Sequence, residues 1–253
     1  MCSAMTKLPD LHTLKKDDRM DVQVLGVSAS PILDSNTDRA VKLVLSHTGL
    51  RTKFVKLSEL EMIPCRGCLG CVETNQCTVQ DDGQQLAADF SQAAAFVLGA
   101  FTPYSSLDAR SKMFMERMYC FRHQAGRSAG KFGALVITTA CPPYSTTLPP
   151  AADTAAAQVR YWMAEEGMID VGSMVVLGNV PCIRCGHGDD CPVSGVRMIH
   201  GAEATVGSIG VHSFEGDPLA VDDAKLLGQK LRRAVLGSAV PTVGIDCAEE
   251  SPQ

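Results

Sequence analysis

Between residues 21 and 180, short and nearly continuous apolar runs alternate with longer stretches that are apolar at every third or fourth position. Asp21-Val-Gln-Val-Leu-Gly-Val27 is the first such run. A strand buried on both faces reads this way, because neither side of its pleat meets water. Residues 51–57 alternate instead, which predicts a strand toward the edge of the sheet. Further strands are predicted at 94–101, 132–140 and 173–180, and helical spacing at 38–47, 82–93, 106–119 and 151–167. Gly167 is placed to end the last of these helices. Strands alternating with helices define an α/β fold, a doubly wound sheet of five parallel strands. Such sheets bind ligands beyond the carboxyl ends of their strands. Past residue 192 the pattern weakens to a short strand at 208–212 and a helix at 219–236. That helix carries Lys225, Lys230, Arg232 and Arg233 on a solvated side. The domain therefore spans 21–236, with cysteine-rich loops inserted at 62–80 and 181–200. Residues 1–20 read as a flexible extension and 237–253 as a loose tail containing Cys247, a bystander like Cys2.

The densest chemistry is Cys65-Arg-Gly-Cys68-Leu-Gly-Cys71-Val-Glu-Thr-Asn-Gln-Cys77, a C-x2-C-x2-C-x5-C run. Four thiolates aimed at one point suit a 4Fe–4S cluster, and the interleaved glycines let the backbone wrap it. Zinc more often takes C-x2-C pairs from two separate knuckles, and free thiols are the plainest reading. A second group, Cys182-Ile-Arg-Cys185-Gly-His-Gly-Asp-Asp-Cys191, repeats the spacing of Cys68, Cys71 and Cys77. It is open to several readings. One is a second 4Fe–4S cluster with Cys120, Cys141 or His187 as fourth ligand. Others are a cluster with one open iron, a zinc site of three thiolates and His187, or a loop without metal.

Ser28-Ala-Ser30-Pro-Ile-Leu-Asp-Ser35-Asn36-Thr37 follows the first strand and leads into a helix. N–H groups and hydroxyls at a helix start form a phosphate cradle, and simple helix capping by Ser35, Asn36 and Thr37 is the plainer alternative. Neither a Walker lysine nor G-x-G-x-x-G is present. Asp108, Arg110, Glu116 and Arg117 read as surface pairs on a helix. His123 and Arg127 read as loop surface or as residues facing a substrate.

Composition narrows the setting. The 253 residues are 45% apolar but only 5% aromatic, so the core is expected to be aliphatic and Ala-rich. A net charge of −5 without a Lys/Arg stripe argues against nucleic acid as a partner. Eleven cysteines, seven of them clustered at metal-ligand spacing, with no signal-peptide pattern and no membrane-length apolar stretch, point to a cytoplasmic protein.

The Ser28–Thr37 loop, the Thr102-Pro103-Tyr104-Ser105-Ser106 turn before a helix, and the cysteine loop after the second strand resemble the iron–sulfur flavoprotein family. That family is a branch of the flavodoxin-like, NADPH-dependent FMN reductase group. The resemblance runs from about residue 21 to 180. Ile32 departs from it where many relatives carry Arg, and Cys141-Pro-Pro-Tyr-Ser lacks their paired glycines. It implies a flavodoxin-like fold and an FMN whose phosphate sits at Ser28, Ser30, Ser35, Asn36 and Thr37. The isoalloxazine would rest on Thr102, Pro103, Tyr104, Ser105 and Ser106, next to the loop from Thr139. The 4Fe–4S cluster would be held by Cys65, Cys68, Cys71 and Cys77 near the flavin of a neighbouring subunit, which implies a homo-oligomer, dimer or tetramer. The expected function is electron transfer from ferredoxin or NAD(P)H to a small-molecule acceptor, since flavin handles electron pairs and a cluster single electrons. No Ser-His-Asp set or H-E-x-x-H is present for hydrolysis. A flavin and iron–sulfur electron carrier without its own substrate, or a zinc-binding redox sensor, are the competing expectations.

Overall fold

The computed structural model of the chain describes residues 23–142 and 148–237. The N-terminal extension, the Pro143–Thr147 part of the third loop, and the tail beyond residue 237 lie outside the described residues, as do Cys2 and Cys247. The five strands are β1 (Gln23–Ser28), β2 (Arg51–Lys56), β3 (Ala95–Phe101), β4 (Phe132–Thr139) and β5 (Ile169–Leu177). They form one parallel sheet in the order β2-β1-β3-β4-β5. β2 is an edge strand, as its alternation predicts.

Successive side chains of a strand point to opposite faces. Here that alternation divides the interior in two. Val24, Val97, Ala134, Val136 and Val176 meet α1 (Asn36–Ser46) and the C-terminal helix Pro218–Gly237, an aliphatic layer. Leu25, Phe96, Leu98, Leu135 and Ile137 meet α2 (Gly83–Gln92), α3 (Ala109–Arg117) and α4 (Ala151–Glu165) on the other face. This second layer departs from the expected aliphatic core. Phe90 lies 5.5 Å from Phe96, 5.9 Å from Phe114, 6.0 Å from Phe121 and 6.2 Å from Trp162, ring centre to ring centre. Five aromatic rings thus meet in this core, while Phe132 and Phe214 are the buried aromatic members of the first layer.

Two predicted elements change. β5 begins four residues earlier than its apolar run, because the strand enters through Asp170 and Gly172 at a register shift opposite Gly133 and Ala134. Beyond α5 (Gly195–His200), the strand expected at 208–212 does not form: its first two residues close a single helical turn, α6 (Val206–Ile209), and the rest is irregular. Thr205 accepts from the Ser208 N–H and the Ser208 hydroxyl accepts from the Thr205 N–H, a capping box that short apolar patterning does not reveal. The C-terminal helix is then α7. Among the described residues, no helix is long and apolar enough to cross a membrane.

Candidate functional site

All loops singled out by the sequence leave the carboxyl edge of the sheet. Ser28, the end of β1, pairs with Lys56 at the end of β2 and with Gly99 near the end of β3. Phe101 pairs with Thr138, and Thr139 with Leu177. The cysteine loop after β2, the hydroxyl loop after β1, the Thr102 turn after β3 and the Thr139 loop after β4 therefore emerge side by side. The second cysteine group follows β5 at the far end of the same edge.

Most polar side chains of the hydroxyl loop are occupied in shaping it. Ser28 donates to Asp38 Oδ1 at 2.5 Å, and Asp38 Oδ2 accepts from Lys56 Nζ at 2.6 Å and from the Ser35 N–H at 3.0 Å. Lys56 also donates to Ile32 O at 2.8 Å, so one ammonium ties the loop's backbone to the helix start. Burial pushes the Asp38 carboxyl up, but Lys56, the Ser28 hydroxyl and the Ser35 N–H overcome it and hold it below the usual carboxylate value. Ser35 caps α1 through the Asp38 N–H. Asn36 reaches across to Leu177 O and His212 O, and Thr37 meets Thr138 with 2.8 Å between hydroxyl oxygens. The Ser30 hydroxyl accepts from the Ile32 N–H at 3.3 Å. Asp38 and Lys56 escaped the sequence reading; each belongs to an element whose pattern is already complete without it.

The Thr102–Ser106 turn is strained. Tyr104 and Ser105 have φ of 52° and 58°, left-handed backbone that non-glycine residues rarely adopt, and Tyr104 is fully exposed. The turn is held from both ends. Asp108, buried, accepts from the Phe101 N–H and from Ser111, and Gln158 of α4 accepts from the Leu107 N–H at 3.1 Å. Such strain persists where surrounding structure over-determines it, and it clusters at ligand sites. Thr139 is buried and accepts from the Cys141 N–H at 3.1 Å.

Cys65, Cys68, Cys71 and Cys77 line one cavity, and Cys120, Arg117, Tyr119 and His123 complete its wall. Cys65 accepts from the Gly67 N–H at 3.4 Å. The Gly70 N–H and then the Thr78 hydroxyl, 3.7 Å away, hold the Cys68 thiol below its usual pKa. Burial raises Cys71 and pushes Cys120 up to about 12. Among the described residues, no three Cys, His, Asp or Glu groups converge closely enough to grip a metal ion as they stand. The donor set nonetheless fits a metal–sulfur group: four thiols share one cavity, two already accept N–H bonds, and in the same wall His123 Nε2 is buried with no hydrogen-bond partner among the described residues.

Two expectations are corrected here. Cys120 belongs to this first cavity, so it is not a ligand for the second cysteine group. Arg117 is not on the helix surface: its guanidinium is fully buried, forks onto Asp81 at 2.6 and 2.8 Å, and donates to Cys77 Sγ at 3.5 Å. Asp108 is likewise buried rather than superficial. Gly83 explains the space for Arg117, since a Cβ there would lie 2.6 Å from the guanidinium carbon. The Asn75 side chain, on a residue with φ of 53°, donates to Cys120 O at 2.9 Å and to His123 O at 2.5 Å, sewing the cysteine loop to the segment after α3.

Strand order, helix placement and the cluster of loops at the carboxyl edge define a flavodoxin-like α/β protein. The chain belongs to the NADPH-dependent FMN reductase family, which it matches over residues 22–181. It is 31% identical over 99 residues to an iron–sulfur flavoprotein of Methanocaldococcus jannaschii, covering 38% of this chain and 51% of that one. It is 22% identical over 162 residues to an iron–sulfur flavoprotein of Methanosarcina thermophila, covering 63% of this chain and 82% of that one. The chain thus spans about half the length of the first relative and most of the second. Among solved structures, the apo form of an NADH:FMN oxidoreductase superposes with a TM-score of 0.51 at 11% identity, over 87% of this chain and 92% of that one. That likeness concerns the fold.

Proposed function

We propose that this chain is an FMN- and 4Fe–4S-dependent oxidoreductase that moves electrons from a ferredoxin or NAD(P)H donor to a small-molecule acceptor. The observation that carries the reading is the adjacency of the cysteine cavity, the hydroxyl loop and the strained Tyr104 turn on consecutive strands β2, β1 and β3. FMN would supply exchange of electron pairs, and a cluster would supply exchange of single electrons.

The chain's own part is to bind and orient. Ser28 gives its proton to Asp38, so it shapes the phosphate loop and does not donate to phosphate. In this reading the first-turn N–H groups of Asn36 and Thr37 and the hydroxyl of Ser30 hold the anion, helped by the helix dipole. Ser35 fixes the helix start, and Lys56 balances the buried Asp38 charge beneath. Thr102, Pro103, Tyr104, Ser105 and Ser106 offer the ring a rigid seat, with Thr139 beside it. Cys65, Cys68, Cys71 and Cys77 would hold the cluster, and the buried Arg117 guanidinium donates to Cys77 Sγ at 3.5 Å. A homo-oligomer, dimer or tetramer, would let a cluster serve the flavin of its neighbour.

The test is anaerobic steady-state turnover of the purified protein with reduced ferredoxin, NADPH or NADH as donor and quinones or nitroaromatics as acceptors. Sustained acceptor reduction supports the oxidoreductase. Reversible reduction without turnover of any acceptor points to a carrier, and zinc without flavin overturns the redox reading.

A further inference from the structure

The family match ends at residue 181, and Cys182 is the next residue. The second cysteine group is therefore not part of what relates this chain to its family. It also lies apart from the first. Its loop follows β5 whereas the first follows β2, and these strands bound the sheet on opposite sides. Four strand spacings of about 4.8 Å separate their carboxyl ends by ~19 Å. With Cys120 in the first cavity, the two cysteine groups have no shared residue.

As they stand, the three thiols do not converge closely enough to grip a metal ion, but main-chain hydrogen bonds order the loop around them. Cys182 Sγ accepts from the Gly195 N–H at 3.2 Å, and Cys185 Sγ accepts from the His187 N–H at 3.4 Å across Gly186, whose φ is 80°. Main-chain N–H groups aimed at sulfur fix where each sulfur points and use it as an acceptor, a role that a metal-bound sulfur keeps. Cys191 is drawn in through its own N–H, which donates to His187 O at 3.0 Å. The closure is tight: Ser194 Oγ donates to Gly188 O at 2.6 Å, and a Cβ on Gly188 would sit 2.5 Å from Cys182 O. Asp189 is directed elsewhere, accepting from the Val206 N–H at 2.7 Å. Cys182 and Cys191 are half-buried and Cys185 is exposed. Three thiols on so short and closed a loop, two of them receiving N–H bonds, have no packing task that would require cysteine.

We propose that Cys182, Cys185 and Cys191 hold a second thiolate-ligated metal centre, independent of the first cysteine loop and on the opposite flank of the flavin edge. Its chemistry is that of a soft or borderline metal, zinc or iron with sulfide, for which three thiolates form most of the ligand set; His187 stands inside the same loop as a nitrogen donor.

The experiment counts iron, labile sulfide, zinc and FMN per chain in anaerobically purified full-length protein. Three forms are compared: wild type, a first-loop variant (Cys65, Cys68, Cys71 and Cys77→Ser) and a second-loop variant (Cys182, Cys185 and Cys191→Ser). The expected result is metal that survives in the first-loop variant and is lost from the second-loop variant, while FMN in the latter stays at the wild-type level. Iron with sulfide or zinc identifies the centre. The proposal is overturned if the second-loop variant keeps all the wild-type metal. In case a variant does not fold, alkylation of the native wild type followed by peptide mass spectrometry gives an independent answer. Cys182, Cys185 and Cys191 should resist iodoacetamide until a chelator or acid is added, and rapid labelling of all three beforehand would overturn the proposal. Because FMN and first-loop metal are read separately, failure of this proposal leaves the oxidoreductase reading intact.

Discussion

Replacing Asp81 with Asn removes the charge that accompanies the most deeply buried cation among the described residues. Arg117 has no exposed side-chain surface, and Asp81 is 11% exposed. The carboxylate receives both guanidinium bonds, at 2.6 and 2.8 Å, and also accepts from the Ile63 N–H at 3.0 Å and the Gly83 N–H at 2.9 Å. After substitution, the Asn carbonyl can accept one of the two guanidinium bonds, but the charge and the second acceptor are gone; Ile63 O at 2.9 Å and Cys77 Sγ at 3.5 Å are the other partners, and Nε already lacks one among the described residues. Stranding one member of a buried pair costs about 3–5 kcal/mol. For a domain of this size, 2–4 °C per kcal/mol gives a fall in Tm of roughly 6–20 °C. Arg122→Gln is the comparison. Its partners are Glu165 at 3.3 Å and Glu166 at 3.2 Å, but its own side chain is 42% exposed and can turn to water, so its loss should be the smaller of the two. The assay is thermal unfolding followed by circular dichroism, at equal FMN and iron content. A Tm for Asp81→Asn no lower than that for Arg122→Gln would refute the reasoning that this pair anchors the cysteine loop.

Other perturbations separate shape from chemistry. Tyr104→Gly relieves left-handed strain and should change stability by less than ~1 kcal/mol, yet weaken FMN retention at least about tenfold, as read by fluorescence titration of released flavin. Asp38 has a depressed pKa, so its contribution is present above the ordinary carboxylate value near 4 and is lost as pH falls through its lower folded value. The urea-unfolding penalty of Asp38→Asn should therefore be large at pH 7 and shrink below about pH 4; an equal penalty at both would contradict it. Phe90→Ala, at the centre of the aromatic core, should cost about 3–5 kcal/mol in urea unfolding.

The strands and the loops between them were legible because a buried parallel sheet demands apolar runs at fixed intervals, and the ligand edge follows from strand direction alone. The cysteine motif was legible because its four thiols lie within thirteen residues of the sequence. What escaped were pairings between distant elements. Arg117 lies on a helix whose pattern gives no reason to bury it, and the nearest signal was Gly83, a glycine opening a helix where a better helix former would serve. Cys120 reads from the sequence as a candidate fourth ligand of the second cysteine group, but it lines the cavity of the first, where Asn75 donates to its carbonyl. Asp38 reads from the sequence only as the first residue of a helical stretch, with nothing to show its ion pair with Lys56. Thr205 and Ser208 turned an apparent strand into a helical turn by side-chain bonds that hydrophobic periodicity does not register.

The most direct test of the central claim is the flavin and iron stoichiometry of the protein purified without oxygen, compared with a Cys65, Cys68, Cys71 and Cys77→Ser variant. The account predicts one FMN per chain in both, and about four irons with matching sulfide that disappear in the variant. Absence of FMN from both proteins, or iron unchanged by loss of these four thiols, would contradict it.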